Sequence, residues 1–246
     1  MFTGVFVAVS CFLSERERQN RKQAERERYL AGIGQVAAVI VHDLKNPLIS
    51  ILGFARRIRE GRGDFAVGAQ IIEDSAQKMQ GIVNSVLDFA KPVQLNLEDV
   101  DIRDTIRRAG ESCRTKAEAR GVTLTMHVPA TPVTTAIDSF YVERSFINLV
   151  DNAVDASSRG SRVDVTAAII RGQMVITVND QGAGMDRKTL ENLFVPFFTT
   201  KIEGTGLGMP ISRKVIEAHA GTLGINSKLG FGTEAEIRLP NRTRHD

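Results

Sequence analysis

The first group of residues in this chain that could do chemistry is Val41-His42-Asp43-Leu44-Lys45-Asn46-Pro47-Leu48. An imidazole is a nucleophile near neutral pH when a neighbour holds one ring nitrogen and leaves the other free. Asp43, directly after His42, can fix the tautomer and accept its proton. Asn46 lies one helical turn further on. Pro47 removes a backbone donor and presses on the carbonyl of residue 43, which bends a helix locally. A single histidine is more often an ordinary surface or core residue; these neighbours are what single out His42.

Four later groups carry asparagines and glycines. Asn148 and Asn152 are one turn apart on an expected helix and share a face, and amide oxygens suit Mg2+. Asp180-Gln181-Gly182-Ala183-Gly184 follows an apolar strand with a carboxylate acceptor and a backbone that a ligand can approach closely. Gly204-Thr205-Gly206-Leu207-Gly208 opens a helix with Pro210 in its first turn, where free N–H groups can bind phosphate. Gly230 to Thr233 enters the last strand. Alone, each also fits a tight turn or a pair of packing amides. No such reading explains all of them in this order, with Phe194 to Lys201 set between the first two glycine groups.

The elements that must position these residues fall into two parts. Leu30, Ile33, Ala37, Ile40, Leu44, Pro47, Ile51, Phe54 and Ile58 alternate spacings of three and four, a heptad seam. A second series, Ile72, Ser75, Met79, Ile82, Val86 and Phe89, keeps that alternation until Pro92 stops it. Joined through Gly61 to Gly68, the two make a helical hairpin over 30–92, and pairing two copies into a four-helix bundle covers the apolar surface. His42 falls at the f position, facing water. After Pro92 a mixed α/β domain is expected over 93–246. Its strands are read near Val93–Leu97, Val122–Val128, Val133–Ala136, Arg162–Ile170 and Met174–Asn179, with two more at the end. Its helices are read near Ile102–Ala119, Ser139–Ala156 and Met209–His219.

The chain has 246 residues and a net charge of only +3, so the overall balance gives no case for a nucleic-acid partner. Cys11 and Cys113 match no metal-ligand spacing and read as free thiols. Residues 1–14 are uncharged and 15–29 are dense in charge. The apolar run is shorter than the ~18 residues that span a bilayer. Two readings fit it: the cytoplasmic end of a transmembrane helix, giving attachment to the membrane through the N-terminus, or an apolar helix end that packs on a partner.

Together these groups resemble the sensor histidine kinases of two-component systems. Val41 to Leu48 is similar to their phosphoacceptor box. The later groups are similar, in order, to the N, G1, F, G2 and G3 boxes of the ATP-binding domain shared with gyrase-type topoisomerases and certain chaperones. The Phe-Phe-Thr-Thr-Lys and Asn-Ala-Val-Asp-Ala forms look most like the nitrogen-regulation branch. The resemblance covers roughly Ala31 to Pro240. It implies an α+β fold class: a dimeric four-helix bundle followed by an α/β sandwich of the Bergerat type, with a mixed sheet and helices on one face.

The resemblance also implies roles. His42 takes the phosphoryl group from ATP, Asp43 is the general base, and Asn46 orients water when the chain acts as a phosphatase on its partner. Asp180 recognises the adenine amino group, Gly182 and Gly184 turn the chain beside the base, and Thr233 supports that contact. Asn152 is the Mg2+ ligand and Asn148 its neighbour at the phosphate end. Met185 to Thr205 forms a lid that carries Thr200, is anchored by Phe197 and Phe198, and places Lys201 near the phosphates. Gly204, Gly206, Leu207 and Gly208 admit the phosphate chain to a helix start. The implied partners are a second copy of the chain and the receiver domain of a separate response regulator, with the catalytic region on the cytoplasmic side. Two departures stand out. Many relatives have Glu where Asp43 stands, and many branches have Lys where Asp155 stands, so Lys201 is expected to supply the compensating charge.

Overall fold

The computed structural model describes residues 40–201 and 204–243. The expectations for 1–14 and 15–29, and for the first turns of the hairpin from Leu30, lie outside these residues. Among the described residues no helix is long and apolar enough to cross a membrane. The chain forms two compact units that divide between Val83 and Asn84.

In the first unit the described part of helix α1 runs over 40–59, and helix α2 spans Phe65–Ala90. The reversal between them uses Gly61 and Gly63, both at positive φ (67° and 86°). Asp64 then caps α2, its Oδ1 accepting from the N–H groups of Ala66 and Val67 at 2.8 and 3.2 Å. Gly68 has no side chain to hold off Ile58, so the two helices close together at that end. Seam residues Leu44, Ile51, Phe54, Ile58, Ile72 and Met79 are half-buried, and Pro47 and Ile82 are buried. The hairpin thus covers its heptad seam in part. A second apolar row stays open, with Val41 64%, Leu48 44% and Leu52 62% exposed on α1 and Val83 44% exposed on α2.

The second unit contains β1 (Glu98–Asp101), α3 (Ile102–Arg120), β2 (Thr123–His127), β3 (Thr134–Ile137), α4 (Ser139–Ala156) and β4 (Arg162–Ile170). It continues with β5 (Gln173–Asp180), α5 (Arg187–Asn192), α6 (Gly208–Ala218), β6 (Thr222–Lys228) and β7 (Gly232–Pro240). Five strands form a sheet of order β2-β4-β5-β7-β6. β2 pairs with β4 in parallel and the rest are antiparallel, the mixed sheet that was expected. β1 and β3 form a separate two-stranded ribbon. Alternate residues of the central strands, Val163 and Val165, Met174 and Ile176, Ile237 and Leu239, meet Ile106, Val142, Phe146 and Val150 of the helices in one core. α4 packs between α3 and α6. The helix that carries the asparagines is therefore clamped on both flanks.

The structure departs from the sequence reading at several elements. Val93 to Leu97 alternates half-buried and exposed like a strand but joins no ladder, and the strand forms just after it, at β1; the Asn96 N–H goes to Asp138 Oδ2 at 2.9 Å. α5 was not expected, since its six residues carry no apolar period long enough to read; Asp186 caps it by accepting from the Thr189 N–H at 2.7 Å. The C-terminal part of α2, from Asn84, belongs to the second compact unit. Asp88 pairs with Arg144 at 2.6 Å, and the Lys214 ammonium donates to the carbonyls of Phe89 and Lys91 at 3.0 and 2.5 Å. These contacts tie the C-terminal end of α2 to α4 and α6.

A buried histidine fixes the start of α4. His219 Nε2 accepts the Asp138 N–H at 3.0 Å, so its Nδ1–H must donate to the Val215 carbonyl at 2.8 Å. Asp138 Oδ1 in turn caps α4 through the Tyr141 N–H. Burial pushes the His219 imidazolium down from its usual range. The unfolded chain then takes up this proton first. The stability His219 contributes is complete above pH 6.5 and is lost as the pH falls through the lower folded value. Denaturant titrations at pH 7.5 and pH 5.5 are expected to show a smaller drop in stability for His219→Gln than for the wild type; an equal drop would contradict this assignment.

Candidate phosphoacceptor and nucleotide sites

His42 lies on the open side of α1 with 72% of its side chain exposed, and its Nδ1 is 3.2 Å from Asp43 Oδ1. With Nδ1 protonated towards that carboxylate, the Nε2 lone pair faces solvent as a nucleophile. Pro47 gives no N–H to the residue 43 carbonyl, and Ser50 Oγ donates to the Asn46 carbonyl at 3.4 Å. Asn46 is exposed one turn from His42. His42, Asp43 and Asn46 thus share the first unit, and the remaining site residues lie in the second.

In the second unit a cleft of about 440 Å3 opens between α4, the start of α6, the end of β5, the start of β7 and residues of the segments 183–201 and 204–206. Asp180, Gly184 and Thr233 line one end of it. Asp180 is 4% exposed, and its Oδ1 accepts the N–H groups of Gly182 at 2.8 Å and Thr233 at 3.2 Å. Both bonds fall on one oxygen, which leaves Oδ2 for a donor in the cleft. Burial raises the Asp180 carboxyl above its ordinary value, against the opposing pull of those two N–H groups. Gly184 sits at φ 63°, and a methyl group there would overlap the Lys228 carbonyl. Gly182 and Thr233 thus reach the cleft differently: Thr233 lines it, whereas Gly182 is buried behind it, against the Ala156 carbonyl.

Asn148, Asn152, Gly204, Gly206 and Gly208 line the other end, beside the first turn of α6. That helix start has no side-chain cap, so its N–H groups remain for an anion. Leu207 is fully buried and anchors the turn without touching the cleft. Gly208 meets the Asn148 side-chain oxygen, with no room between them for a methyl group. Phe197 departs from expectation. It does not line the cleft; it adopts φ 65° and donates its N–H to the Gly206 carbonyl at 3.0 Å. Phe198, Thr200 and Lys201 are the residues of this segment that line the cleft. Lys201 Nζ donates to Asn152 Oδ1 at 2.6 Å and to Asp155 Oδ2 at 2.8 Å. Lys201 is thus paired with Asp155, a contact the sequence reading did not foresee.

Several supporting residues escaped the sequence reading. Buried Ser212 accepts the Asn148 Nδ2–H at 2.9 Å. Met209 sulfur sits 3.8 Å from the Asn148 amide nitrogen and 3.5 Å from that of Asn152. These contacts fix which way each amide faces: the nitrogens go to Ser212 and Met209, the Asn148 oxygen meets Gly208, and the Asn152 oxygen goes to Lys201. Ser227 Oγ links the Met185 N–H, the Gly232 carbonyl and Thr233 Oγ1, each at 2.9 Å. The only sequence signal for Ser212 is its place one turn after Gly208.

Known proteins share this arrangement. Residues 137–243 match the family of histidine kinase-, DNA gyrase B- and HSP90-like ATPases, and residues 33–95 match the His Kinase A (phospho-acceptor) domain. The chain is 31% identical over 228 residues to the sensor histidine kinase ZraS of Escherichia coli strain K12, covering 91% of this chain and 49% of ZraS. It is 29% identical over 212 residues to sporulation kinase E of Bacillus subtilis strain 168, covering 85% of this chain and 29% of that protein. The chain therefore spans half or less of the length of these relatives. Full-length ShkA in complex with AMPPNP superposes with a TM-score of 0.65 at 26% identity, covering 84% of this chain and 45% of ShkA. Histidine kinase ThkA in complex with response regulator protein TrrA shares the fold, with a TM-score of 0.75 at 22% identity over 91% of this chain and 66% of ThkA. A phosphoacceptor hairpin followed by an ATPase-type domain, matched in this order along the chain, places it in the sensor histidine kinase family, as a transmitter region.

Proposed function

We propose that the chain autophosphorylates His42 from ATP with Mg2+ and passes the phosphoryl group to an aspartate on the receiver domain of a separate response regulator, working as a homodimer. The observation that carries this reading is a solvent-facing His42 with an acid at Nδ1, on the same chain as a cleft that has a buried carboxylate at one end and an uncapped helix start at the other. Asp180 Oδ2 accepts the adenine amino group. The α6 N–H groups hold the phosphates. Nε2 of His42 forms the new N–P bond as the bond from the γ-phosphorus to the bridging oxygen breaks and ADP leaves. Asp43 takes the Nδ1 proton, so the ring ends neutral. Asn46 positions water for hydrolysis of the phosphorylated partner.

Asn152 fits Mg2+, because its Oδ1 already holds a cation, the Lys201 ammonium, at 2.6 Å. An Mg2+ ion held there by the Asn152 amide oxygen would neutralise phosphate charge. Asn148, whose Nδ2–H is held by Ser212, supports the phosphate end. The Phe-Phe-Thr-Thr-Lys form supports the nitrogen-regulation branch. The open row of Val41, Leu48, Leu52 and Val83 is the surface by which two hairpins pair.

Phosphotransfer tests the second half of the reaction. Chain labelled from γ-labelled ATP and freed of nucleotide is mixed with the receiver domain of its response regulator. Label is expected to leave the chain and appear on the receiver; label retained on the chain contradicts the transfer.

A further inference from the structure

Three cations converge on one carboxylate beside the cleft. Lys201 Nζ lies 2.8 Å from Asp155 Oδ2, while Lys116 Nζ and Arg120 lie 3.1 and 3.2 Å from Asp155 Oδ1. Lys116 also reaches Asp151 at 3.3 Å. The Asp155 side chain is only 17% exposed and that of Lys201 is 41% exposed. The α3 cations and the lid cation thus approach the acid from opposite oxygens. Of the three, Lys201 is the one that also contacts the amide oxygen of Asn152.

That second contact sets two cations in competition. An ammonium at 2.6 Å and a Mg2+ ion at about 2.1 Å cannot share one amide oxygen without strong repulsion at close range. Lys201 can leave at small cost, because Asp155 keeps Lys116 and Arg120 and is not stranded as a lone, largely buried charge. On leaving, the ammonium remains among the residues of the phosphate end, where Gly204 and Thr205 also line the cleft.

We propose that Lys201 is a resident cation that Asp155 docks on the Asn152 oxygen and that incoming Mg2+–nucleotide displaces towards the phosphates. Asp155 is then a positioning residue acting through Lys201, and the lid changes partner when nucleotide binds. This rests on the ATP and Mg2+ reading above and adds an exchange to it.

The test is the Mg2+ concentration giving half-maximal binding of AMP-PNP, an ATP analogue that transfers no phosphoryl group, to the full chain by calorimetry. Wild type, Lys201→Met, Asp155→Asn and the double variant are compared. Lys201→Met removes the competitor and is expected to lower the Mg2+ requirement about threefold, the scale of a partly exposed ion pair. In the Asp155→Asn background Lys201 is no longer docked, so the same substitution is expected to have little effect. An unchanged or raised Mg2+ requirement in Lys201→Met overturns the exchange, as does an equal shift in both backgrounds. Those results would leave the ATP reading standing. Failure of the wild type to bind AMP-PNP at any Mg2+ concentration would overturn both.

Discussion

Asp180→Asn is expected to weaken ATP binding about 100-fold while leaving the fold intact. The substitution keeps an acceptor at Oδ1 for the Gly182 and Thr233 N–H groups, so the strand end and the β7 entry stay joined. What it changes is the other atom, where an –NH2 donor would face the adenine amino group. Losing a charged acceptor and opposing two donors costs about 3 kcal/mol, or about 100-fold in affinity.

The charge itself points the same way. Burial raises the Asp180 carboxyl, so the folded protein takes up this proton at a higher pH than the unfolded chain. Its contribution to stability is full below pH 3.8 and is lost as the pH rises through the raised folded value. When ionised, the carboxylate is a buried charge, held at a cost in stability. Asp180→Asn should therefore melt no lower than the wild type at pH 7 by scanning calorimetry. Lost binding together with a clearly lower melting temperature would instead mean that the fold had been damaged.

Leu52→Asp is expected to abolish the dimer at micromolar concentration. Leu52 is 62% exposed on the hairpin, and it lies one turn from Leu48, itself 44% exposed. In a symmetric pair each copy would lose roughly 2 kcal/mol of apolar burial and would carry a carboxylate into an apolar interface. Two copies together lose at least about 4 kcal/mol, roughly 1000-fold in the dimer dissociation constant. Sedimentation should show a monomer whose circular dichroism matches the wild type, since no internal contact of the hairpin is touched. A dimer of unchanged affinity would place the pairing surface elsewhere.

The sequence was most legible where a long period met a clear stop. The helix expected at Ser139–Ala156 has those ends in the structure, because Asp138 caps one end and an apolar face repeats through the whole length. β4 and β5 were equally clear from their alternation. The hairpin was legible as two helices. Alternating spacings of three and four mark its most regular apolar face, which stays half-buried at Leu44, Ile51, Phe54 and Ile58, while the less regular row of Val41, Leu48 and Leu52 is more exposed and had no period to announce it. Val93 to Leu97 has the period of a strand, yet a side chain, Asp138, takes its backbone bond, and no local pattern announces that.

Within the cleft, motif residues singled out for side-chain polarity or bare backbone were readable as a group: Asp180, Asn152 and Gly208 all line it. Phe197 was not, because an aromatic ring in a lid suggests packing, whereas its work is a backbone bond from a positive φ. Ser212 and Ser227 were not readable either. Serines are common on helices and strands, and only the folded chain brings Ser212 to Asn148 and Ser227 to Thr233.

The central claim is that His42 receives the phosphoryl group from ATP. The direct measurement is incubation of the purified chain with γ-labelled ATP and Mg2+, followed by acid and alkali treatment, for the wild type and His42→Gln. The account predicts label that is acid-labile and alkali-stable in the wild type and absent from His42→Gln, whose fold should be unchanged because the side chain is exposed. Label that persists in His42→Gln, or a wild type that binds ATP as a dimer and acquires no label, would contradict it.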